Sequence, residues 1–490
     1  MLVIGSGISG LSTALRLLRR GYEVEIVERF GRAGGRMNQL QKDGYQYDIG
    51  PSFFSMSYEF EELASDADIE LPFQYRALDP LYSVWYDQPV RSYKLYRDVE
   101  KLANEFREVE PGFAGKMNRY MASAGRLYHD IDSRVIKKNF DSLAHYAAGL
   151  LSVPPVHLPK LGRNFWQEVS RHFKSREVRE MLSLVSFFLG GTPFDTPAVY
   201  TMLSYTEFVH DGYYNVEGGM YKIVEGFVGL LKEKGVPISY HIDITGFYSE
   251  GRLIRGFTDS QGREYPADIF VVNADAAVFR SRVMGRKRYR AERLDKMQWT
   301  MAPLTLFLGL DEKIPGIGHH NYFLRNNFRD YSTKLYRNRI SLDQPYYYVN
   351  VVSRHNANAA PEGGEAVYIL VPVPDRRYKP DWHDKDQIAD AIIRDLSGRI
   401  GFPVHQHVRS RTVLDPADWE RMFNLHRGSG LGLGHQLRQV GWFRPSNRDE
   451  EYSNLFYTGS STPPGTGIPM GVISSRLVTE RIDESFGTLS

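Results

Sequence analysis

The sequence has no cysteine, which excludes a disulfide framework, a thiolate metal site, a cysteine-linked cofactor and a dithiol redox relay. It has no unbroken apolar run long enough to cross a bilayer, so any membrane contact is expected to be peripheral. Neither sign of charge is in real excess: 61 Lys and Arg against 59 Asp and Glu leave a formal net charge of +2. That balance says little about partners, and no nucleic acid is expected among them. No repeat or low-complexity tract stands out. Neither a G-x-S-x-G elbow nor an H-E-x-x-H helix occurs, which leaves hydrolytic chemistry unsupported. His405 and His407 share one face of an expected strand, but no further ligand stands at suitable spacing and no metal site is expected. No secretory leader precedes the first apolar segment, which begins at Met1 itself; the native start is expected upstream and the protein in the cytoplasm.

What is present begins at once. Leu2-Val3-Ile4-Gly5-Ser6-Gly7-Ile8-Ser9-Gly10-Leu11 reads as a short apolar strand turning on glycines into a helix. Gly5 suits the tight turn, Gly7 the approach of a pyrophosphate to the backbone, and Gly10 close packing of helix on strand. The helix carries apolar Leu11, Leu15 and Leu18, cations in its last turn and Gly21 as its terminator. A second strand through Val24, Ile26 and Val27 ends at Glu28, where a dinucleotide fold places the acid that accepts the ribose hydroxyls.

The next residues choose the dinucleotide. Gly34-Gly35-Arg36 adds backbone amides and a guanidinium on the pyrophosphate side, a second glycine turn for which nicotinamide dehydrogenases have no general need. Enzymes of the glutathione-reductase-like class often have it, and the arrangement is read as an FAD site. Asp48-Ile49-Gly50-Pro51-Ser52 then reads as a strand ending near the isoalloxazine ring.

A chain of 490 residues exceeds one ordinary core, so two or three subdomains are expected. FAD-binding segments are expected at 1–80, 211–280 and 450–490, a mostly helical substrate- and membrane-facing region at 81–210, and a substrate domain at 281–449. Tyr82 to Tyr86 and Arg91 to Tyr96 read as a hairpin. Between Ser133 and Arg176, apolar stretches such as Ala147 to Val156 stand among eight Lys and Arg, a composition that suits an interfacial segment among anionic headgroups as well as it suits a solvated basic helix pair. Gly218-Gly219-Met220 opens a helix to about Lys234. Strands are expected at Leu304 to Leu310, Tyr346 to Val352, Ala366 to Val373 and Val404 to Val408, an antiparallel sheet backed by helices. Near the end, Gly459 closes a strand, and the loop through Gly467, Ile468, Pro469, Gly471 and Val472 enters a helix whose amides are expected at the flavin pyrimidine.

The opening glycines with Glu28 and Gly34-Gly35-Arg36, the Asp48-to-Ser52 turn, Gly190-Gly191-Thr192-Pro193-Phe194, Gly218-Gly219-Met220, Trp442-Phe443-Arg444-Pro445 and the Thr462-to-Val472 loop are together similar to the bacterial-type phytoene desaturase family. They occur in order and cover nearly the whole chain. The resemblance implies an α/β fold with a Rossmann-like FAD domain of the glutathione-reductase and amine-oxidase type. It implies an enzyme that desaturates long isoprenoid polyenes at a membrane surface and passes its electrons to a quinone or dioxygen. Pro463 stands where the family commonly has histidine, and Met470-Gly471 replaces its usual Gly-Val step; both bear on substrate and regiochemistry.

Desaturation next to a polyene takes a hydride from one carbon and a proton from its neighbour, so a proton acceptor is required. Asp141, Glu207, Asp211 and Glu217 are the candidate acids, with Glu217 the first choice and Asp141 carried beside it. Phe187, Phe188, Phe194, Tyr200, Tyr205 and Phe208 are candidates for the wall of an apolar tunnel. A cis-trans isomerase or saturase on the same scaffold, a cofactor-free prenyl-binding carrier and an amine oxidase are the alternatives.

Overall fold

The computed structural model describes residues 1–335 and 345–488; 336–344 and 489–490, which fall in the expected substrate and C-terminal segments, lie outside them. A five-stranded parallel sheet takes Leu2–Ile4, Glu25–Val27, Ile238–Ser239, Phe270–Val272 and Leu455–Tyr457 from three distant stretches of chain. Leu2–Ile4 lies at its centre, with Leu2 beside Glu25 on one side and Phe270 on the other. Short runs of Val, Ile and Phe buried on both faces are what a covered parallel sheet requires.

The helix after the first strand, Ile8–Arg19, is buried almost all round rather than along one stripe, with Ser9 through Leu17 all enclosed. The reason is its neighbour. The C-terminal helix Ile468–Phe486 packs along it, and buried Arg16 spans the two, donating to the Val472 carbonyl at 3.1 Å while pairing with Asp66 at 3.1 Å. Its end is a glycine-terminated double turn, with Gly21 N–H donating to Leu18 O and Tyr22 N–H to Leu17 O.

The second sheet has seven strands in the order Val408–Leu414, Ala302–Leu310, Glu365–Val373, Tyr347–Val351, His320–Phe323, Tyr82–Asp87 and Val90–Leu95. The 82–95 hairpin therefore docks on strands from 302–414, and it joins them by a parallel pairing of Tyr82–Asp87 with His320–Phe323 in an otherwise antiparallel sheet. Side chains alternate across this sheet. Tyr347, Val349 and Val351 face a layer with helix Lys385–Ile400, whereas Tyr346, Tyr348 and Tyr368 face the aromatic core between the two sheets. His405 and His407 are not strand neighbours: Val404–His407 is one helical turn, after Pro403, and the strand begins only at Val408. His407 instead pairs with Asp311 at 3.0 Å, and no group of residues suited to hold a metal ion occurs among the described residues. Helices Val99–Phe106, Phe113–Ile131, Leu143–Leu151, Phe165–His172 and Arg176–Ser183 fill most of 98–183. No helix among the described residues is long and apolar enough to cross a membrane.

Candidate active site

A cavity of about 670 Å³ runs between the two sheets. One end is walled by Gly5, Gly7, Glu28, Gly34, Gly35 and Arg36 from the opening unit, and by Asn273 and Asp275 after the strand Phe270–Val272. The middle is walled by Gly50, Pro51 and Ser52 and by Gly459, Gly467, Ile468, Pro469 and Gly471. The other end is aromatic, with Phe53, Phe187, Phe188, Tyr322, Tyr348 and Tyr368 on its wall. Gly10 and Val472 stand just behind the wall: Gly10 is enclosed against the Gly5 carbonyl and Asn273, and Val472 is buried beside Arg16.

The polar end is built to take a dinucleotide. A Cβ on Gly7 would lie 2.7 Å from Asn273 Oδ1, so only glycine fits between that side chain and the cavity. The second glycine turn is stitched to the first, with Gly34 N–H donating to Ser6 O at 2.9 Å. Glu28 is 5% exposed. One carboxylate oxygen accepts from Ser6 N–H and Ser6 Oγ, each at 2.7 Å, and the other accepts only Phe30 N–H at 3.0 Å, which leaves lone-pair capacity for a sugar hydroxyl. Arg36 donates to Gly430 O at 3.3 Å and Ser460 Oγ at 2.5 Å and makes no ion pair among the described residues. Burial pushes its pKa down, with Asp275 pulling the other way. An enclosed guanidinium without a carboxylate partner is a site for an anion, which a pyrophosphate satisfies. Beyond it, Ile468–Phe486 begins at Gly467 with Pro469 in its first turn, so the unpaired amides of a long helix face the middle of the cavity. These residues fit FAD: Glu28 would hold the ribose, the two glycine turns and Arg36 the pyrophosphate, and the start of the last helix the flavin pyrimidine.

One positioning residue carries no signature in the sequence. His435 is buried between two loops, its Nδ1 3.2 Å from Leu189 O and its Nε2 accepting Thr466 N–H at 3.1 Å. Burial pushes its pKa down to about 3, helped by Arg444. As a neutral imidazole with Nδ1–H donating, it ties the Gly190-Gly191 turn to the cavity-lining Thr466.

The four candidate acids are elsewhere. Glu217 lies at the surface and pairs with Arg76 at 2.8 Å, because the strand Tyr213–Val216 ends there and the chain turns outward through Gly218. Asp141, 61% exposed, pairs with Arg481 and His145 across the start of the helix Leu143–Leu151. Asp211 is spent on Ser57, accepting its N–H at 2.9 Å and its hydroxyl at 2.8 Å. Glu207 comes nearest. It is buried behind the aromatic wall with Tyr82 donating to it at 2.6 Å, and burial pushes its pKa up to about 8 against the pull of its tyrosine hydrogen bonds. None of the four is on the cavity wall. Of the expected wall aromatics, Phe187 and Phe188 line the cavity. Phe194, Tyr200, Tyr205 and Phe208 do not: Phe194 packs on Trp166, Tyr200 on His435 and Tyr205 on Tyr128 and His210. Phe53 takes their place; it follows Ser52 directly and packs on Phe188, Tyr213 and His320.

Comparison with known proteins agrees with this geometry. Residues 8–483 match the family of flavin-containing amine oxidoreductases. The chain is 32% identical over 489 residues to the zeta-carotene-forming phytoene desaturase of Myxococcus xanthus, covering 98% of this chain and 93% of the relative. It is 27% identical over 493 residues to the carotenoid 3,4-desaturase of Haloarcula japonica, covering 98% and 97%. Among solved structures, a putrescine oxidase superposes with a TM-score of 0.67 at 12% identity, over 99% of this chain and 98% of the other, a likeness of fold. With that fold, a cradle shaped for a flavin dinucleotide and a match spanning nearly the whole sequence, the chain belongs to the flavin-containing amine oxidoreductase family, and its cofactor is FAD.

Proposed function

We propose that the protein is an FAD-dependent carotenoid desaturase that extends the conjugation of a long isoprenoid polyene. The observation that carries this reading is the cavity itself, which leads from the nucleotide cradle directly into a compartment walled by Phe53, Phe187, Phe188 and tyrosines. FAD, when bound, supplies the acceptor for a hydride. The residues around it do the rest. Aromatic walls exclude water from a cationic polyene and hold the chain in line, and each Å² of apolar surface they cover is worth about 25 cal/mol. The cationic carbon is faced by aromatic rings rather than by a carboxylate: Glu28, Asp243 and Asp275, the acids of the wall, all lie among the nucleotide segments. The relatives' names, phytoene desaturase and carotenoid 3,4-desaturase, point to the same substrate class.

The protein meets its substrate at a membrane surface in this reading. Leu151 and Val156 are 85% and 68% exposed, and Leu143, Leu158, Leu161, Leu437 and Phe443 are exposed as well. Tyr146, on the helix Leu143–Leu151, packs on Phe443 at 6.3 Å, which joins the two segments into one apolar face. Lys137 and Lys160, counted among the basic residues of this region, turn inward onto Glu59 and Glu168, so apolar area rather than dense positive charge is its main feature. A membrane quinone or dioxygen takes the electrons onward. The assay is expression in a bacterium making phytoene, with pigment analysis: products whose absorbance moves to the red are expected. Altered isomer composition without new conjugation would replace this reading with a cis-trans isomerase, and loss of double bonds with a saturase.

A further inference from the structure

A desaturase, the functional reading on which this proposal rests, removes two hydrogens from its substrate, and only one of them leaves with its electron pair. The neighbouring carbon must surrender a proton inside a water-poor compartment. The wall carboxylates are engaged elsewhere, Asp243 with Arg29 at 3.3 Å and Asp275 with the amides of Ala277 and Val278, while Glu28 sits in the nucleotide cradle. The ionisable groups of the aromatic compartment are tyrosines. Tyr346 donates to the Arg325 carbonyl at 2.7 Å, and Tyr347 carries its hydroxyl to the far side of the sheet, onto Asp395 at 2.7 Å. Tyr368 has a buried hydroxyl without a partner, and Tyr322 hydrogen-bonds no base among the described residues.

Tyr348 differs. Its hydroxyl is 2.6 Å from His320 Nδ1 and 2.9 Å from Ser52 Oγ, and both Tyr348 and Ser52 line the cavity. Asn350 Nδ2, which donates to His319 O at 3.1 Å, also lies 3.2 Å from His320 Nδ1. In the tautomer that uses this contact, Nδ1 accepts, Tyr348 donates to it and Ser52 donates to Tyr348. The β-sheet register makes the arrangement, because His320 is paired with Asn350 and Tyr322 with Tyr348 on adjacent strands. His320 is held flat against Phe53, ring centroids 3.9 Å apart, and its Nε2 is buried without a partner. Behind it, the His319 ring is 4.2 Å away, and His355, which is exposed, lies 4.8 Å from His319.

We infer that Tyr348 is the catalytic acceptor of the substrate proton and that His320 positions it and takes over its phenolic hydrogen. The step balances. With FAD bound, the hydride would leave with its electron pair and the substrate would remain as an allylic cation. The adjacent C–H bond breaks, its electrons become the second bond of the new C=C, the proton goes to Tyr348 Oη, and the phenolic hydrogen passes to His320 Nδ1. Tyr348 ends neutral and His320 ends as imidazolium, which loses its proton before the next turnover. Burial and the two neighbouring histidines push His320 well below the usual imidazole range. That weak basicity suffices, because a C–H bond beside a carbocation is a far stronger acid than imidazolium, and it favours prompt release.

The experiment uses holoenzyme with phytoene in liposomes, without oxygen, and follows formation of the newly conjugated polyene by rapid quench in a single turnover. Tyr348→Phe keeps the ring and removes the hydroxyl. His320→Asn keeps an acceptor for the Tyr348 hydroxyl but cannot take up a proton. Both are expected to slow the step about a hundredfold, with FAD content and melting temperature unchanged, and added imidazole is expected to restore rate to His320→Ala. Independently of turnover, nitrogen NMR of the histidine-labelled holoenzyme is expected to show His320 Nδ1 as a hydrogen-bond acceptor whose signal moves in Tyr348→Phe. A rate within about twofold of wild type in Tyr348→Phe or His320→Asn, or a protonated Nδ1, overturns the assignment. Wild-type enzyme that turns over no acyclic polyene overturns the functional reading and this inference together.

Discussion

Gly10→Ala sets two opposed effects against each other. Inside an unconstrained helix, alanine is worth about 1 kcal/mol over glycine, so the substitution should stabilise. Here the new Cβ would lie 2.2 Å from the Gly5 carbonyl oxygen, 2.9 Å from Asn273 Oδ1 and 3.1 Å from Asn273 Cβ. The Gly5 oxygen is main chain and cannot swing aside, so the helix Ile8–Arg19 must back away from the first strand by about 1 Å. Overpacking of that kind costs about 1–3 kcal/mol, which cancels or exceeds the propensity gain. The same retreat moves the amides of the opening turn away from the pyrophosphate, and a hydrogen bond to a charged group is worth about 1.5–3 kcal/mol. The expected outcome is a urea midpoint for the apoprotein at or below wild type, together with an FAD dissociation constant raised about tenfold or more, read by flavin fluorescence on titrating apoprotein. A variant that is more stable than wild type and binds FAD as tightly would refute the reasoning, because it would mean that no close approach exists at this position.

Glu28→Ala leaves Ser6 and Phe30 amides without their acceptor; apoprotein stability is expected to drop about 1–3 kcal/mol and FAD affinity with it, while Glu28→Gln recovers part of the stability in the same urea titration. Glu207 is pushed up to about 8 by burial, so the fold favours its protonated form: that contribution is fully present below the ordinary carboxylate value and is lost as pH rises through about 8. The wild-type melting temperature is therefore expected to fall between about pH 5 and about pH 8 relative to Glu207→Gln, which cannot ionise, and to level off above that; parallel pH profiles would count against it. Replacing Leu151 and Val156 together by Asp is expected to leave melting unchanged, since both are exposed, and to cut co-sedimentation with anionic phospholipid vesicles about tenfold or more.

How much could be read from the chain depended on the range of the interactions involved. The wall positions of Gly5, Gly7, Glu28, Gly34, Gly35 and Arg36 follow from glycine geometry and strand-turn-helix spacing, all within the first 36 residues. The Asp48-to-Ser52 strand end and the Gly467-to-Gly471 helix start are equally local, and both reach the cavity. Glu217 and Asp141 stand out in the sequence because a carboxylate beside a glycine turn or in a basic apolar segment looks functional; burial, which decides whether such a group meets substrate, belongs to the packed state. Phe194, Tyr200 and Tyr205 show the same limit, since an aromatic residue in a wall segment has even chances of facing the cavity or its backing.

Short-range pattern thus determined an α/β unit with an FAD cradle at the start of the chain, because the glycine turns between strand and helix are written in adjacent residues. Only the tertiary structure decided what lines the aromatic end of the cavity. Ser52, His320 and Tyr348 meet because strands His320–Phe323 and Tyr347–Val351 pair in one register and the Gly50-Pro51-Ser52 turn lies across them. A one-residue slip would send Tyr348 to the helical layer and Tyr347 to the cavity. A register contact between His320 and Tyr348, 28 positions apart, and a turn contact between Ser52 and Tyr348, 296 positions apart, leave no periodicity in the sequence to find.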